Sequence, residues 1–332
     1  MKTARYYGIE DIRYEELPVP NCGEKDVLIK VAYAGICGSD LHIYKKGMFI
    51  QNIPETMGHE FSGTVIKTGS KVHSLQAGDR VTANPMVTCG NCIACRTEHR
   101  GSCETLGFIG EVRPGCFAEY IALPQEDVIK APPDIDLKKL ALAEPLAVAL
   151  NICRQAKPAP TDKVLIVGPG PIGLLTALVL KNVCGLENPT ILGRSPTRLS
   201  IAKALGMKTT TQLGDDSYFD LIIEAAGNET ALSTAVAHAL PGGKICVVSI
   251  FEDDFIFDIN TIVAKQLSII GCNVYETRHI QESTKLLADG IIDPSPLVTD
   301  TYDLANCREA FAALCSKDKK ACKILFQMED IK

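Results

Sequence analysis

The chain contains no tryptophan, and aromatic residues make up only 6% of it. Membrane proteins commonly carry aromatic belts at both interfaces, so that class loses support. Runs of lysine and arginine are missing as well, and the net charge is −6. An acidic chain without a basic stripe argues against nucleic acid or an anionic membrane as its main partner. The opening segment, MKTARYYGIEDIRYEE, lacks the apolar core of a secretory signal, so a cytoplasmic location is expected. The longest uncharged stretch, residues 164–180, has the length of a membrane span. Gly168, Pro169, Gly170, Pro171 and Gly173 interrupt it, and a strand, a turn and a helix account for it better. Internal repeats and low-complexity tracts are absent.

What the chain has in quantity is cysteine, 14 in 332 residues. In a reducing compartment clustered thiols bind metal rather than form disulfides. Cys89, Cys92, Cys95 and Cys103 follow the order C-x2-C-x2-C-x7-C. Four thiolates at this spacing close a tetrahedron around one zinc ion, a closed structural site with no open position for chemistry. Cys153, Cys184, Cys246, Cys272, Cys307 and Cys315 stand mostly among apolar neighbours and read as small core residues.

The length suits two domains. The first, residues 1–149, is β-rich, with strands expected at 26–34 (DVLIKVAYA) and 116–123 (CFAEYIAL) and shorter ones at 63–66 and 79–82. No long periodic helix is expected before about Leu137, and a partly open barrel fits this pattern. The metal lobe falls at about 87–104. In residues 150–285 strands and helices alternate: strands at 163–167, 190–192, 220–224, 244–249 and 267–271, with helices at 172–183 and 198–205 among the connections. That rhythm implies a doubly wound parallel sheet. From about Leu286 to Lys332 the chain is expected to return to the first domain, ending in a strand at 321–327 (ACKILFQ).

Gly168, Gly170 and Gly173 follow a strand and open a helix, with Pro171 and Ile172 between them. The first glycine permits the tight turn. The second lets the backbone approach a pyrophosphate, and the third lets helix and strand pack closely. An NAD enzyme usually places an acid at the end of the second strand for the ribose 2′-hydroxyl. Here Gly193 stands there, followed by Arg194, Ser195 and Arg198. Guanidinium groups attract a 2′-phosphate that an acid would repel, so NADP(H) is expected over NAD(H).

A second metal site is less local. Cys37, Ser39 and His42 lie in GICGSDLH, His59 and Glu60 in GHE, and Glu144 in AEPL. A catalytic zinc needs about three protein ligands and an open position. Cys37 and His59 supply two, and either Glu60 or Glu144 the third. Tyr44 and Arg113 are weaker candidates for substrate contact. His73, His99, His238 and His279 have no ligand spacing.

GICGSDLHIY, GHEFSGTV, CGNCIACRTEHRGSC and VLIVGPGPIGLL together resemble the zinc-containing medium-chain dehydrogenase/reductase superfamily over nearly the whole chain. The Glu-Pro pair at 144–145 is similar to its polyol branch, which includes sorbitol and sugar-alcohol dehydrogenases. The resemblance implies a GroES-like catalytic domain joined to a Rossmann cofactor domain. It further implies one catalytic and one structural zinc, and a small alcohol or ketone as substrate. Its members use the residues matching Glu60 or Glu144 as ligand, or exchange the two. Ser39, with His42 further along, is implied in the proton relay, and a homodimer or homotetramer in the assembly. The segment GRSPTR resembles NADPH-dependent ketose reductases. A threonine-type amino-alcohol dehydrogenase is the rival of the same class. A non-enzymatic zinc and nucleotide binder is the rival of another, disfavoured because Cys37, Ser39, His59, Glu60 and Glu144 are all present.

Overall fold

The computed structural model describes residues 1–328 apart from 98, 257 and 317. The chain forms two compact units: Met1–Glu144 with the described residues of 275–316 and 323–328, and Pro145–Val274 with Asp318–Cys322. The chain therefore leaves the second unit at Tyr275, earlier than Leu286. The helix Thr277–Ala288 buries one face in the first unit, where Ser283 donates to the carbonyl of Ala143 at 2.7 Å and Asn84 donates to Thr277 at 3.0 Å.

The first unit is built on a seven-stranded sheet. Its order runs Val128–Lys130, Arg80–Ala83, Glu60–Thr68, Asp26–Gly35, Lys323–Gln327 and Val298–Asp303, with Tyr120–Pro124 also pairing to Asp26–Gly35. The Asp26–Gly35 strand is buried along almost its whole length and forms the spine of the sheet. Phe117 packs edge-on against Phe326, with ring centroids 4.9 Å apart. Two local features depart from expectation. Residues 116–119 are not a regular strand. The N–H groups of Gly115, Cys116 and Phe117 instead reach the carbonyls of Thr56, Gly58 and Met57. A nine-residue helix, Gly38–Lys46, also precedes Leu137. Its low apolar periodicity hid it, while Asp40 fixes its start by accepting from the N–H of Cys37 at 2.8 Å.

The second unit carries a six-stranded, wholly parallel sheet. Its order is Lys208–Thr210, Thr190–Leu192, Val164–Val167, Phe219–Glu224, Ala239–Val247 and Ser268–Gly271. This is the doubly wound arrangement with its direction of winding reversed between Val164–Val167 and Phe219–Glu224, the crevice where such sheets bind ligands. Lys208–Thr210 is an additional strand at one edge, too short and polar to read from the sequence. No helix among the described residues is long and apolar enough to cross a membrane.

Candidate active site

The Asp26–Gly35 strand delivers the chain to Cys37, which stands at the N-terminal end of the Gly38–Lys46 helix. The antiparallel neighbour begins at Glu60, paired in register with Gly35, so His59 and Glu60 arrive beside Cys37. Ligand atoms of Cys37, His59 and Glu60 all lie within 4.8 Å of one another. Zinc bond lengths of about 2.0–2.3 Å place tetrahedral donors roughly 3.3–3.8 Å apart, so a small inward adjustment would accommodate the ion. Glu144 lies outside that triad. It is buried near the start of the helix Ala143–Ala156, accepts a hydrogen bond from the Tyr275 hydroxyl at 2.9 Å, and acts electrostatically on His59. Ser39 and His42, three residues apart, share a face of the helix that starts at Cys37.

The surroundings of this cluster are charged and dry. Asp40 Oδ1 stands 3.9 Å from His59 Nδ1, and both atoms are buried without a hydrogen-bond partner. Burial alone would pull the His59 pKa down, but the Cys37 thiol and the Asp40 carboxylate outweigh it and hold the ring well above its usual value. Burial pushes Asp40 up, and pushes Glu144 up to about 7 against the opposing pull of His59 and Tyr275. Burial likewise carries Glu111 up to about 7, with His59 opposing and Asp40 adding to the shift. Lys323 forms an ion pair with Glu60 Oε2 and donates to the carbonyl of Ile36 at 2.9 Å. A soft sulfur, an imidazole and carboxylates that repel one another without a cation form a donor set suited to a divalent ion such as zinc.

Asp40, Glu111, Tyr275 and Lys323 escaped the reading of the sequence. The visible signal was a lysine inside the apolar strand ACKILFQ and an acid inside GSDLH. Tyr44 and Arg113 are engaged by neighbours outside the triad. Tyr44 packs on Phe311 at 5.0 Å and responds to the charges of Cys315, Glu10 and Arg308, whereas Arg113 is exposed and acts on Asp127.

The quartet is compact by itself. Cys89 Sγ lies 3.9 Å from Cys95 Sγ and 3.6 Å from Cys103 Sγ, close to the edge of a zinc–thiolate tetrahedron. Backbone N–H groups of Cys92, Cys95 and Cys89 point at the sulfurs of Cys89, Cys92 and Cys103. The N–H of Cys89 lowers the Cys103 thiol to about 6, whereas burial raises Cys95 to about 11. Among the described residues the apolar core of this lobe is small: Cys92, Ala94 and Cys103, with Cys95 and Leu106 against it. A shared ion is the cohesion such a lobe needs.

In the second unit the glycine turn sits at the sheet's reversal point. Gly168 has φ +117°, and a Cβ there would come 2.6 Å from the carbonyl oxygen of Ala225, so the position requires glycine twice over. Gly170 and Pro171 start the helix Pro171–Asn182, with Ile172 and Gly173 in its first turn. Its free N–H groups favour phosphate. Glu224, fully buried at the end of its strand, accepts from the N–H groups of Ala226 and Gly227 at 2.8 Å each and shapes the loop facing Gly168. A Cβ at Gly193 would come 2.6 Å from Cδ of Pro169, so a side chain there would crowd that proline. Ser195 caps the Pro196–Ala204 helix and donates to the carbonyl of Lys319 at 2.9 Å. Arg198 spends its guanidinium on the carbonyl of Ala321, at 3.0 and 2.8 Å, which leaves Arg194 as the exposed cation of the pair.

Residues 23–133 match the alcohol dehydrogenase GroES-like domain family, and residues 171–289 match the zinc-binding dehydrogenase family. The chain is 31% identical to sorbitol dehydrogenase of Bacillus subtilis, over 98% of this chain and 96% of that one. It is 33% identical to L-threonine 3-dehydrogenase of Marinomonas, over 95% and 97%. An alcohol dehydrogenase of Escherichia coli CFT073 (rspB), crystallised with NADH, superposes with a TM-score of 0.91 at 30% identity, covering 98% of this chain and 99% of the other.

Proposed function

The chain belongs to the zinc-dependent medium-chain dehydrogenase/reductase family and is a NAD(P)-dependent oxidoreductase; from that premise we propose that it moves hydride between NADP(H) and a polyol, a sugar alcohol or its phosphate. The observation that carries the reading is the triad of a half-buried Cys37 with buried His59 and Glu60 in a chain that also holds a dinucleotide turn at a sheet's reversal point. Cys37 and His59 hold a catalytic zinc with Glu60 or Glu144, while Cys89, Cys92, Cys95 and Cys103 hold a structural one. When bound, zinc supplies Lewis acidity toward the hydroxyl or carbonyl oxygen of the substrate, and the dinucleotide supplies the hydride acceptor or donor.

The remaining work belongs to side chains. The Asp40 carboxylate, 3.9 Å from Nδ1 of His59, acts on the ring electrostatically and would support it as a ligand. Ser39 takes the hydroxyl proton and passes it toward His42 on the same helix face. Gly168, Gly170 and Gly173 cradle the pyrophosphate, helped by Pro171 and Ile172 at the helix start. Arg194 faces the 2′-phosphate, with Ser195 and Arg198 holding the helix start beside it. We assign catalysis to the first unit, Met1–Glu144 with the return from Tyr275, and cofactor binding to the second, Pro145–Val274 with Asp318–Cys322. Fourteen cysteines outside any disulfide fit a reducing cytoplasm. The assembly is a homodimer or homotetramer whose subunits pair through the edge strand Ser268–Gly271, where Ile269 is 43% exposed, and the helix Ile259–Lys265, where Val263 is 70% exposed.

The test is a substrate panel of polyols, polyol phosphates and L-threonine, each oxidised with NADP and with NAD, in the parent and in Arg194→Ala. Polyol turnover with a preference for NADP that falls about 10- to 100-fold in the variant supports the reading, as loss of a charged contact of about 1.5–3 kcal/mol should. Threonine turnover, or a preference for NAD, would overturn the substrate or the cofactor assignment respectively.

A further inference from the structure

Glu111 follows the short strand Gly107–Phe108 and is only 6% exposed. The backbone around it is closely fitted to the triad. A Cβ on Gly110, at φ +85°, would come 2.6 Å from the backbone N of Gly58, and one on Gly115 would strike the carbonyl oxygen of Gly58. The two glycines therefore let this loop close on the residue before His59. The N–H of Glu111 donates to the carbonyl of Phe108 at 3.1 Å, and the carbonyl of Glu111 accepts from the N–H of Gln51 at 3.0 Å, so the residue is held from both sides. The Phe108 ring lies 5.6 Å from the His59 ring. One turn thus sets an aromatic ring beside a triad residue and brings a carboxyl within electrostatic reach of His59 and Asp40. That carboxyl is poorly compensated. Among the described residues no lysine or arginine forms an ion pair with it, and its hydrogen-bond donor is the N–H of Phe108. A buried acid without a cation is unfavourable beside an apolar residue of its size, and such exceptions gather at functional sites.

We propose that Glu111 is a specificity-determining residue: its carboxyl binds a second hydroxyl of the polyol, one other than the hydroxyl that reacts, and the substrate supplies the partner that the fold withholds. A carboxyl has room for about four hydrogen bonds, and the N–H of Phe108 takes one. Burial favours its neutral form, which a hydroxyl satisfies as donor or acceptor and an ammonium group does not. The clamp on its backbone fixes the carboxyl relative to His59, as discrimination between hydroxyl positions requires. The inference rests on the polyol reading above, with the reacting oxygen bound at Cys37, His59 and Glu60.

The experiment uses the zinc-loaded full-length protein as the parent, Glu111→Gln, Glu111→Leu and Glu111→Ala. The substrates are the polyol that the parent oxidises best and its monodeoxy analogues, each lacking one hydroxyl other than the one oxidised. Steady-state kinetics give kcat and KM, calorimetry gives polyol affinity for the protein–dinucleotide complex, and zinc content is measured in parallel. In the parent one analogue should fall about 10- to 100-fold below the polyol in kcat/KM, because it leaves a buried carboxyl unpaired. Glu111→Leu should bring that ratio to within about threefold of one, with most of the polyol's loss in KM and a matching drop in affinity. The other analogues should keep their parental ratios. Glu111→Gln, which still bonds a hydroxyl, should retain most of the discrimination. A parent that treats every analogue alike would overturn the proposal. So would a Glu111→Leu that loses the polyol and all its analogues by one common factor, or that loses amino-alcohol turnover selectively. If Glu111→Leu does not fold, Glu111→Ala carries the same readout. A parent that oxidises no polyol at all would overturn the proposed function and this inference with it, which is a different result from equal treatment of the analogues.

Discussion

The two metal-ligand clusters are assembled in opposite ways. The cysteine quartet draws all its donors from residues 89–103, with backbone N–H groups pointing at the sulfurs and almost no apolar core beneath. The Cys37–His59–Glu60 triad is made by two neighbouring strands and is held by a group as distant in sequence as Lys323, while Tyr275 holds the nearby Glu144. The quartet is a loop that needs an ion to be a structure. The triad belongs to a structure that stands already and strains electrostatically toward an ion. Closure suits stability, whereas open, charge-balanced assembly suits chemistry.

The largest separation of the two comes from removing one ligand of each. Cys37→Ser should cut turnover by more than about 100-fold, with melting temperature and dinucleotide affinity unchanged, as read by steady-state kinetics, calorimetry and fluorescence titration. Cys103→Ser should do the reverse. It should destabilise the lobe around 87–104, visible as fast hydrogen exchange and proteolytic nicking there, while the protein that survives keeps most of its turnover. Equal losses of both properties in both variants would erase the distinction.

A smaller effect concerns a carboxyl buried within electrostatic reach of the triad, shifted chiefly by its burial. Glu111 is raised from the ordinary 4.5 to about 7, a shift equivalent to roughly 3 kcal/mol. A carboxyl raised in the folded state favours folding at pH below 4.5, and that advantage is lost as pH rises through about 7. Glu111→Gln should therefore stabilise the metal-free protein at pH 8 by up to roughly 3 kcal/mol and leave it unchanged near pH 4.5, measured by urea unfolding. A gain equal at both pH values would show that the carboxylate is not the source of the cost.

The comparison also explains what the sequence could and could not disclose. The quartet and the glycine turn were legible because their geometry is local: cysteine spacing sets the tetrahedron, and three glycines set a turn between one strand and one helix. The alternation of strand and helix from 163 to 271 was legible for the same reason. Lys323, Tyr275 and Asp40 were not, because their roles depend on which strands and helices become neighbours, and no spacing encodes that. The helix Gly38–Lys46 was missed because its start is fixed by Asp40 and its faces are not clearly apolar. Residues 116–119 alternate like a strand, yet they hydrogen-bond to an irregular neighbour at 56–58. Arg198 read as a phosphate ligand by charge, but the fold engages it with the carbonyl of Ala321.

The most direct measurement is zinc content per folded chain in the parent, Cys37→Ser and Cys103→Ser, by elemental analysis of protein purified without chelator. Two ions in the parent and one in each variant, with only the Cys37 variant inactive, is the expected result. A single ion in the parent, or two retained in Cys37→Ser, would contradict the division into a closed and an open site.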